Sequence, residues 1–207
     1  MFKNIILMSL ILMLFTTSST NTVASQLSET ERGKYKQVIA VHGLQIIEEI
    51  PDGITPIEVS SPEELDALLQ RIKDDLRNSI STVSEATEDK PREEPDILNV
   101  NYIDVNRNCS VALGGITNPH FNTYGRIRVG VAQSSWRWIE SANARVGLSG
   151  ITSGVNLSDT WTQVDISSNN ASVDISGGGT LNYYILIPEY FVVASHPISC
   201  SLNYSVY

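Results

Sequence analysis

The C-terminal half of the chain alternates. Cys200, Leu202, Tyr204 and Val206 are interleaved with Ser199, Ser201, Asn203 and Ser205, giving one apolar and one polar face. Ile127, Val129 and Val131 alternate in the same way with Arg126, Arg128 and Gly130. Thr162, Val164 and Ile166 make another short set, and Ala171, Val173 and Ile175 another. A period of two marks a half-buried strand, because successive side chains leave opposite faces of the pleated backbone. From Ile97 onward the pattern predicts some eight or nine strands separated by Gly, Asn, Ser or Pro, and no helix. Parallel pairing would need helical crossovers, so the region is expected to be an antiparallel β-sandwich (or barrel) of about 110 residues.

Before residue 84 the period changes. Ser61-Pro62-Glu63-Glu64 has a capping Ser, Pro at the first helical position and Glu three places after the cap. Leu65, Leu68, Leu69, Ile72, Leu76 and Ile80 then recur at helical spacing, predicting one amphipathic helix over about 62–80 whose stripe packs into a core. Upstream, Val38 to Ile50 and Ile54 to Val59 read as short extended pieces around a Pro51-Asp52-Gly53 turn. Residues 84–96, SEATEDKPREEPD, combine dense charge and two prolines with no large apolar side chain, the composition of a solvated linker. The expected organisation is a small α+β/helical N-terminal region at 26–83, an acidic linker at 84–96 and a mainly β domain at 97–207.

The leading 25 residues read as a secretory signal peptide. Lys3 gives a positive start, Ile5 to Phe15 is almost wholly apolar, and Val23-Ala24-Ser25 supplies small side chains for cleavage. Eleven apolar residues span about 16 Å as a helix, roughly half a bilayer core, too short for a stable membrane span. The mature chain is therefore expected to be secreted and extracellular. In that compartment the two cysteines, Cys109 and Cys200, read as a disulfide. Each shares the apolar parity of its segment, Cys109 with Val111 and Leu113, Cys200 with Leu202 and Tyr204.

The net charge of −9 divides unevenly. Residues 26–96 hold 17 acids against 8 bases, and residues 97–207 hold 6 against 5. The acidity thus belongs to the N-terminal part, and nothing favours nucleic acid as a partner, because phosphate contacts dominate that affinity.

Candidate chemistry is sparse. His42, His120 and His196 show no metal-ligand spacing, His120 and His196 sit beside prolines as turn residues do, and no motif implies a cofactor. The glycines of DISGGGTLNYYILI precede a strand-like run, Thr180 to Ile187, rather than the helix a phosphate loop requires. Gly177 to Gly179 are accordingly expected to form a hairpin connection at positive φ. One segment stands out, YGRIRVGVAQSSWRWIESANAR from Tyr124 to Arg145. All five bases of the β region are arginines between 107 and 145, with Arg126 and Arg128 on one strand face. Trp136 and Trp138 share a face of the next strand, with Arg137 opposite. Guanidinium forks beside flat rings suit sugars, carboxylates and phosphorylated groups. The ordinary alternative puts the tryptophans in the core and pairs the arginines with Asp104 or Glu140. The function expected is a non-catalytic extracellular binding module for a glycan, cell-surface or protein ligand, with Arg126, Arg128, Trp136, Arg137 and Trp138 as its site. Two rival classes are an extracellular hydrolase with a dispersed site drawn from His120, His196 and the acids of the β region, and a membrane-active, pore-forming protein built from amphipathic strands.

Overall fold

The computed structural model describes residues 27–89, 100–113, 119–132 and 135–207. The apolar leader read as a signal peptide lies outside the described residues, as does residue 90 onward of the stretch read as a linker.

The chain runs α1 (Glu29–His42), β1 (Gln45–Ile47), β2 (Ile57–Glu58), α2 (Pro62–Asn78), β3 (Ser81–Val83) and β4 (Thr87–Glu88). Six long strands follow: β5 (Asn101–Ala112), β6 (His120–Val131), β7 (Arg137–Ser149), β8 (Val155–Ile166), β9 (Ser172–Leu186) and β10 (Phe191–Ser205). The fold is mainly β, a sandwich of antiparallel sheets preceded by a helical region, as the alternation predicts. The first sheet has the order β1-β10-β9-β2 with β8 also on β9; the second has β3-β5-β6-β7 with β4 also on β5. Among the described residues only the short β2–β9 ladder is parallel. Strands from residues 45–88 extend both sheets, and one of them, β4, falls inside the stretch read as linker.

The described residues of the C-terminal half form six long strands rather than eight or nine short ones. The difference lies in the glycines. Gly177 to Gly179 are not a hairpin connection but the middle of β9, paired with Ile198 to Cys200 of β10 and without positive φ. They are glycines because other atoms come close. A Cβ on Gly177 would lie 2.4 Å from Val146 Cγ1, and one on Gly178 would lie 2.6 Å from the carbonyl of Ile198 and 2.7 Å from the Trp161 ring. A glycine inside a strand marks such an approach as often as a turn. His196 and Pro197 are likewise strand residues of β10, opposite Leu181 and Thr180, rather than a turn. Among the described residues, β1 covers the far edge of β10 only at Phe191 to Val193, and an uncovered edge tolerates proline's missing N–H.

The N-terminal region holds two helices, where the spacing predicts one. α2 forms as expected: Ser61 caps it by accepting from the Glu64 N–H at 3.1 Å, and Leu65, Leu69 and Ile72 are buried. It ends at Asn78, which leaves Ile80 outside it and exposed. α1 takes up Val38 to His42, read from sequence as extended. Its start is a capping box in which Ser28 accepts from the Glu31 N–H and Glu31 reaches back to the Ser28 N–H. Gly43 ends it in the left-handed conformation. The bonds from Ser28 hold the Glu31 carboxyl below its ordinary pKa range. Tyr35 and Ile39, one turn apart, are the buried pair of α1, too narrow a stripe to outweigh the strand-like run Val38-Ile39-Ala40-Val41.

One core serves both parts. Tyr35, Ile39, Leu65, Leu69 and Ile72 of the helices belong to the same buried cluster as the inward residues of β5, β6, β9 and β10. Within it Cys109 of β5 is bonded to Cys200 of β10, Cα atoms 6.0 Å apart, so the predicted disulfide staples one sheet to the other. Beside it the fully buried Thr123 hydroxyl donates toward the carbonyls of Gly177 and Cys200.

Candidate functional site on the outer face of the second sheet

β6 sorts its side chains by parity. Phe121, Thr123, Ile127 and Val129 point inward and are buried, which sends Tyr124, Arg126 and Arg128 to the outer face. Register supplies their neighbours. Gly130 faces Tyr102 and Trp138; Arg128 faces Asp104 and Ser141; Arg126 faces Asn106 and Asn143; Tyr124 faces Asn108 and Arg145. A β-bulge between Arg128 and Val129 absorbs Glu140 as the extra residue of β7 and keeps Trp138 and Ser141 on the same face.

The result is a row of paired rings and guanidinium groups. Trp138 lies against Gly130, where a Cβ would come within 2.4 Å of the indole, and its Nε1 donates to Glu140 at 3.0 Å. Trp136 packs against it with ring centroids 5.5 Å apart and donates to the Tyr207 hydroxyl at 3.1 Å. The Arg128 guanidinium sits 4.3 Å over the Tyr102 ring. Arg126 meets Asp104 at 2.6 Å, and that hydrogen bond, then the charge itself, raises the arginine's already high pKa. At the far end Arg145 lies 4.9 Å over the Tyr124 ring. From Gly130 to Tyr124 is six residues of strand, so the row is about 20 Å long.

Of the residues named from sequence, Arg126, Arg128 and Trp138 stand together on this face, and Trp136 joins them through its stack on Trp138. The core placement of the tryptophans does not hold for Trp136, which is 58% exposed; Trp138 is half-buried, on the outer face. The pairing of Arg126 with Asp104 does hold. Arg137 is apart from the others. It shares the parity of the buried Ile139 and meets Glu88 of β4 at 3.2 Å. Tyr102, Tyr124, Asn143 and Arg145 belong to the face but are not among the five site residues chosen from sequence; the last three lie within the Tyr124 to Arg145 segment, and Tyr102 lies outside it. The polar parity of β5, with Tyr102, Asp104, Asn106 and Asn108 two apart, was the signal available for the first.

Beneath Arg126, toward Tyr124, the face sinks into an open hollow of about 660 Å3. Its walls include the amides of Asn106, Asn108 and Asn143 and the hydroxyls of Ser84 and Thr87. Amides and guanidinium forks around an aromatic floor can hydrogen-bond hydroxyl or carboxylate groups while a ring packs on an apolar plane.

The groups offered for a hydrolase are dispersed. Among the described residues neither His120 nor His196 hydrogen-bonds a carboxylate; His120 faces Ser110 Oγ at 3.4 Å, and His196 is set edge-on to Tyr183. The acids are engaged elsewhere: Asp104 with Arg126, Glu140 with Trp138, Asp159 with Ser158, Asp165 with Gln163, Asp174 with Asn203 and Glu189 with Arg32. The described residues hold no cluster of three or more His, Cys, Asp or Glu placed for a metal ion, and no helix long and apolar enough to cross a membrane.

Fold and site together define an antiparallel β-sandwich, cross-linked between its sheets, that displays an aromatic–arginine row on one outer face. Compared with known families, curated proteins and solved structures, the chain matches no family model, no curated sequence and no solved structure.

Proposed function

We propose that this chain is a secreted, non-catalytic binding module that holds a glycan along the outer face of its second sheet. The observation that carries the reading is the row itself: Trp136 and Trp138, Tyr102 under Arg128, then Tyr124 under Arg145, on one solvent-facing surface about 20 Å long. The exposed Trp136 and the half-buried Trp138 give a sugar ring planes to pack on, and beyond them the amides and the guanidinium groups over Tyr102 and Tyr124 meet its hydroxyls. Rings held by neighbours lose little freedom on binding, which favours affinity. The disulfide between sheets and the apolar leader both suit a protein that works outside the cell. The α1–α2 region serves here as the flank that completes the sandwich core.

Titration of the mature chain against a panel of neutral and acidic oligosaccharides tests this. Trp136→Ala and Trp138→Ala are each expected to weaken binding by about tenfold or more, equivalent to about 1.4 kcal/mol. Trp161→Ala, which removes a half-exposed ring from the other sheet, should leave affinity unchanged. Undiminished binding by both Trp136→Ala and Trp138→Ala, with native circular dichroism, would remove this face as the site.

A further inference from the structure

We infer that the hollow at the Tyr124 end of the face is a subsite for an acidic sugar, one bearing a carboxylate or a sulfate. The inference rests on the glycan-binding reading and specifies the chemical class of its ligand.

Charge is the first argument. The chain as a whole carries −9, yet the described residues lining this hollow include arginines and no carboxylate. They are not equivalent. Arg126 is already matched by Asp104 at 2.6 Å. Arg107 has the inward parity of β5 and turns its guanidinium toward the carbonyl of Asn203 on the first sheet. Arg145 has no ion pair among the described residues, and its recorded contact is the Tyr124 ring. Arg107 and Arg145 thus both lack an ion pair among the described residues, and of the two it is Arg145 whose fork is not turned to a backbone carbonyl.

Geometry is the second. The Tyr124 ring lies 4.9 Å from the guanidinium carbon of the exposed Arg145, a contact that restrains the side chain without using its N–H donors, which can meet a planar pair of oxygens. Carboxylate and sulfate present such a pair, and charge-assisted bidentate contacts are the stronger kind. Lysine would supply the charge without the fork.

Unused hydrogen-bonding capacity is the third. Asn108 donates through Nδ2 to Asn122 at 3.2 Å, but its Oδ1 is buried and without a partner in the hollow's wall. Asn143 lines the same wall, while Asn106 is tied at the rim to Asp89. Being buried, the Asn108 acceptor is closed to a ligand, whereas the exposed Asn143 amide can meet a hydroxyl next to the acidic group. A neutral apolar ligand would leave Arg145 unanswered.

Calorimetric titration of the mature chain with three hexamers tests the subsite: a neutral hexose hexamer, the matching hexuronic acid hexamer and a sulfated hexamer. The expected result is at least tenfold tighter binding of one or both acidic hexamers than of the neutral one, narrowing as salt is raised. The carboxylate and sulfate arms show which group is read. Arg145→Ala should reduce the acidic preference to within about twofold while neutral affinity is kept, and Arg145→Lys should restore only part of it. Arg145 is exposed, so these variants should fold; native circular dichroism checks this. Equal affinity for neutral and acidic hexamers, lost in Trp136→Ala, would overturn the acidic subsite and leave the glycan face standing. An acidic preference untouched by Arg145→Ala would also overturn it. Binding of none of the three would overturn subsite and glycan reading together.

Discussion

The hydroxyl of Thr123 lies 3.2 Å from the carbonyl oxygen of Cys200, bridging the two sheets beside the disulfide. Thr123 is fully buried, and its hydroxyl also lies 3.4 Å from the Gly177 carbonyl, so it has one proton to offer to two acceptors across the interface. Thr123→Val keeps the shape and deletes the donor. The expected loss is about 1 kcal/mol, the usual net worth of such a bond, seen as a lower urea midpoint at unchanged slope. A variant as stable as the parent would mean that the bridge contributes nothing.

Gly177 packs against the neighbour of that same threonine. Because an added Cβ would fall 2.4 Å from Val146 Cγ1, Gly177→Ala is expected to cost about 1–3 kcal/mol by overpacking. Val146→Ala in the same chain should recover part of that loss, Thr123 Oγ1 at 2.9 Å limiting the rest. Thermal melts of the two singles and the double measure the coupling. Simple additivity would show that the glycine is needed for something other than this contact.

These two sites also mark how far the sequence can be read. Parity reaches Cys109 and Cys200 correctly, because alternation reports which face a side chain takes. It does not report what stands opposite, and three glycines kept small by a facing sheet look, along the chain, like three glycines in a turn. The helices divide in the same way. α2 announces itself through Ser61, Pro62 and a wide leucine stripe, whereas α1 buries mainly Tyr35 and Ile39 and hides inside a β-branched run. At the candidate site, Arg126 with Arg128 was legible as a pair on a strand face; the spacing predicts Trp136 on the strand with Trp138, but it precedes β7 and meets Trp138 through the ring stack. Joining the two groups needs the β5–β6–β7 register, which also adds Tyr102, Tyr124 and Arg145. The exposure of Trp136 was not legible at all, since it depends on how little of the described chain, Trp138 and Tyr207 included, covers its ring.

Cys109 and Cys200 close a loop with a sequence separation of 91. In the chain-entropy account, a cross-link of that span restricts the unfolded chain by about 4–5 kcal/mol. The double variant Cys109→Ala/Cys200→Ala should therefore unfold at a much lower denaturant concentration than the oxidised parent. Reduction of the parent should lower its midpoint similarly, with a smaller difference because the thiols still fill the core. Ellman titration of the denatured, unreduced parent should find no free thiol. Two titratable thiols, or a double variant with the parent's midpoint, would contradict the staple.

His196 gives the fold a sensitivity to acid. It sits on β10 with the inward parity, edge-on to Tyr183 at 6.1 Å, where α2 brings up Lys73. Burial first, and the Lys73 charge second, lower its pKa from the ordinary value of about 6.5. Asp75 of the same helix acts on Tyr183, whose hydroxyl is pushed up to about 12, chiefly by burial, and so does not titrate in the relevant range. Above the unfolded histidine's pKa the ring is neutral in both states and does not affect stability. As pH falls below about 6.5 the unfolded chain takes up the proton first, so stability declines until the folded ring is protonated too. The protein should consequently lose stability between pH 7 and pH 5.5, and His196→Gln should lose less over the same interval. The two chains differ only at position 196, so the difference between their urea midpoints isolates that residue. Equal losses in parent and variant would show that protonating His196 is not opposed by its surroundings, and the contact between α2 and the β9–β10 hairpin would then have to be looser than the structure has it.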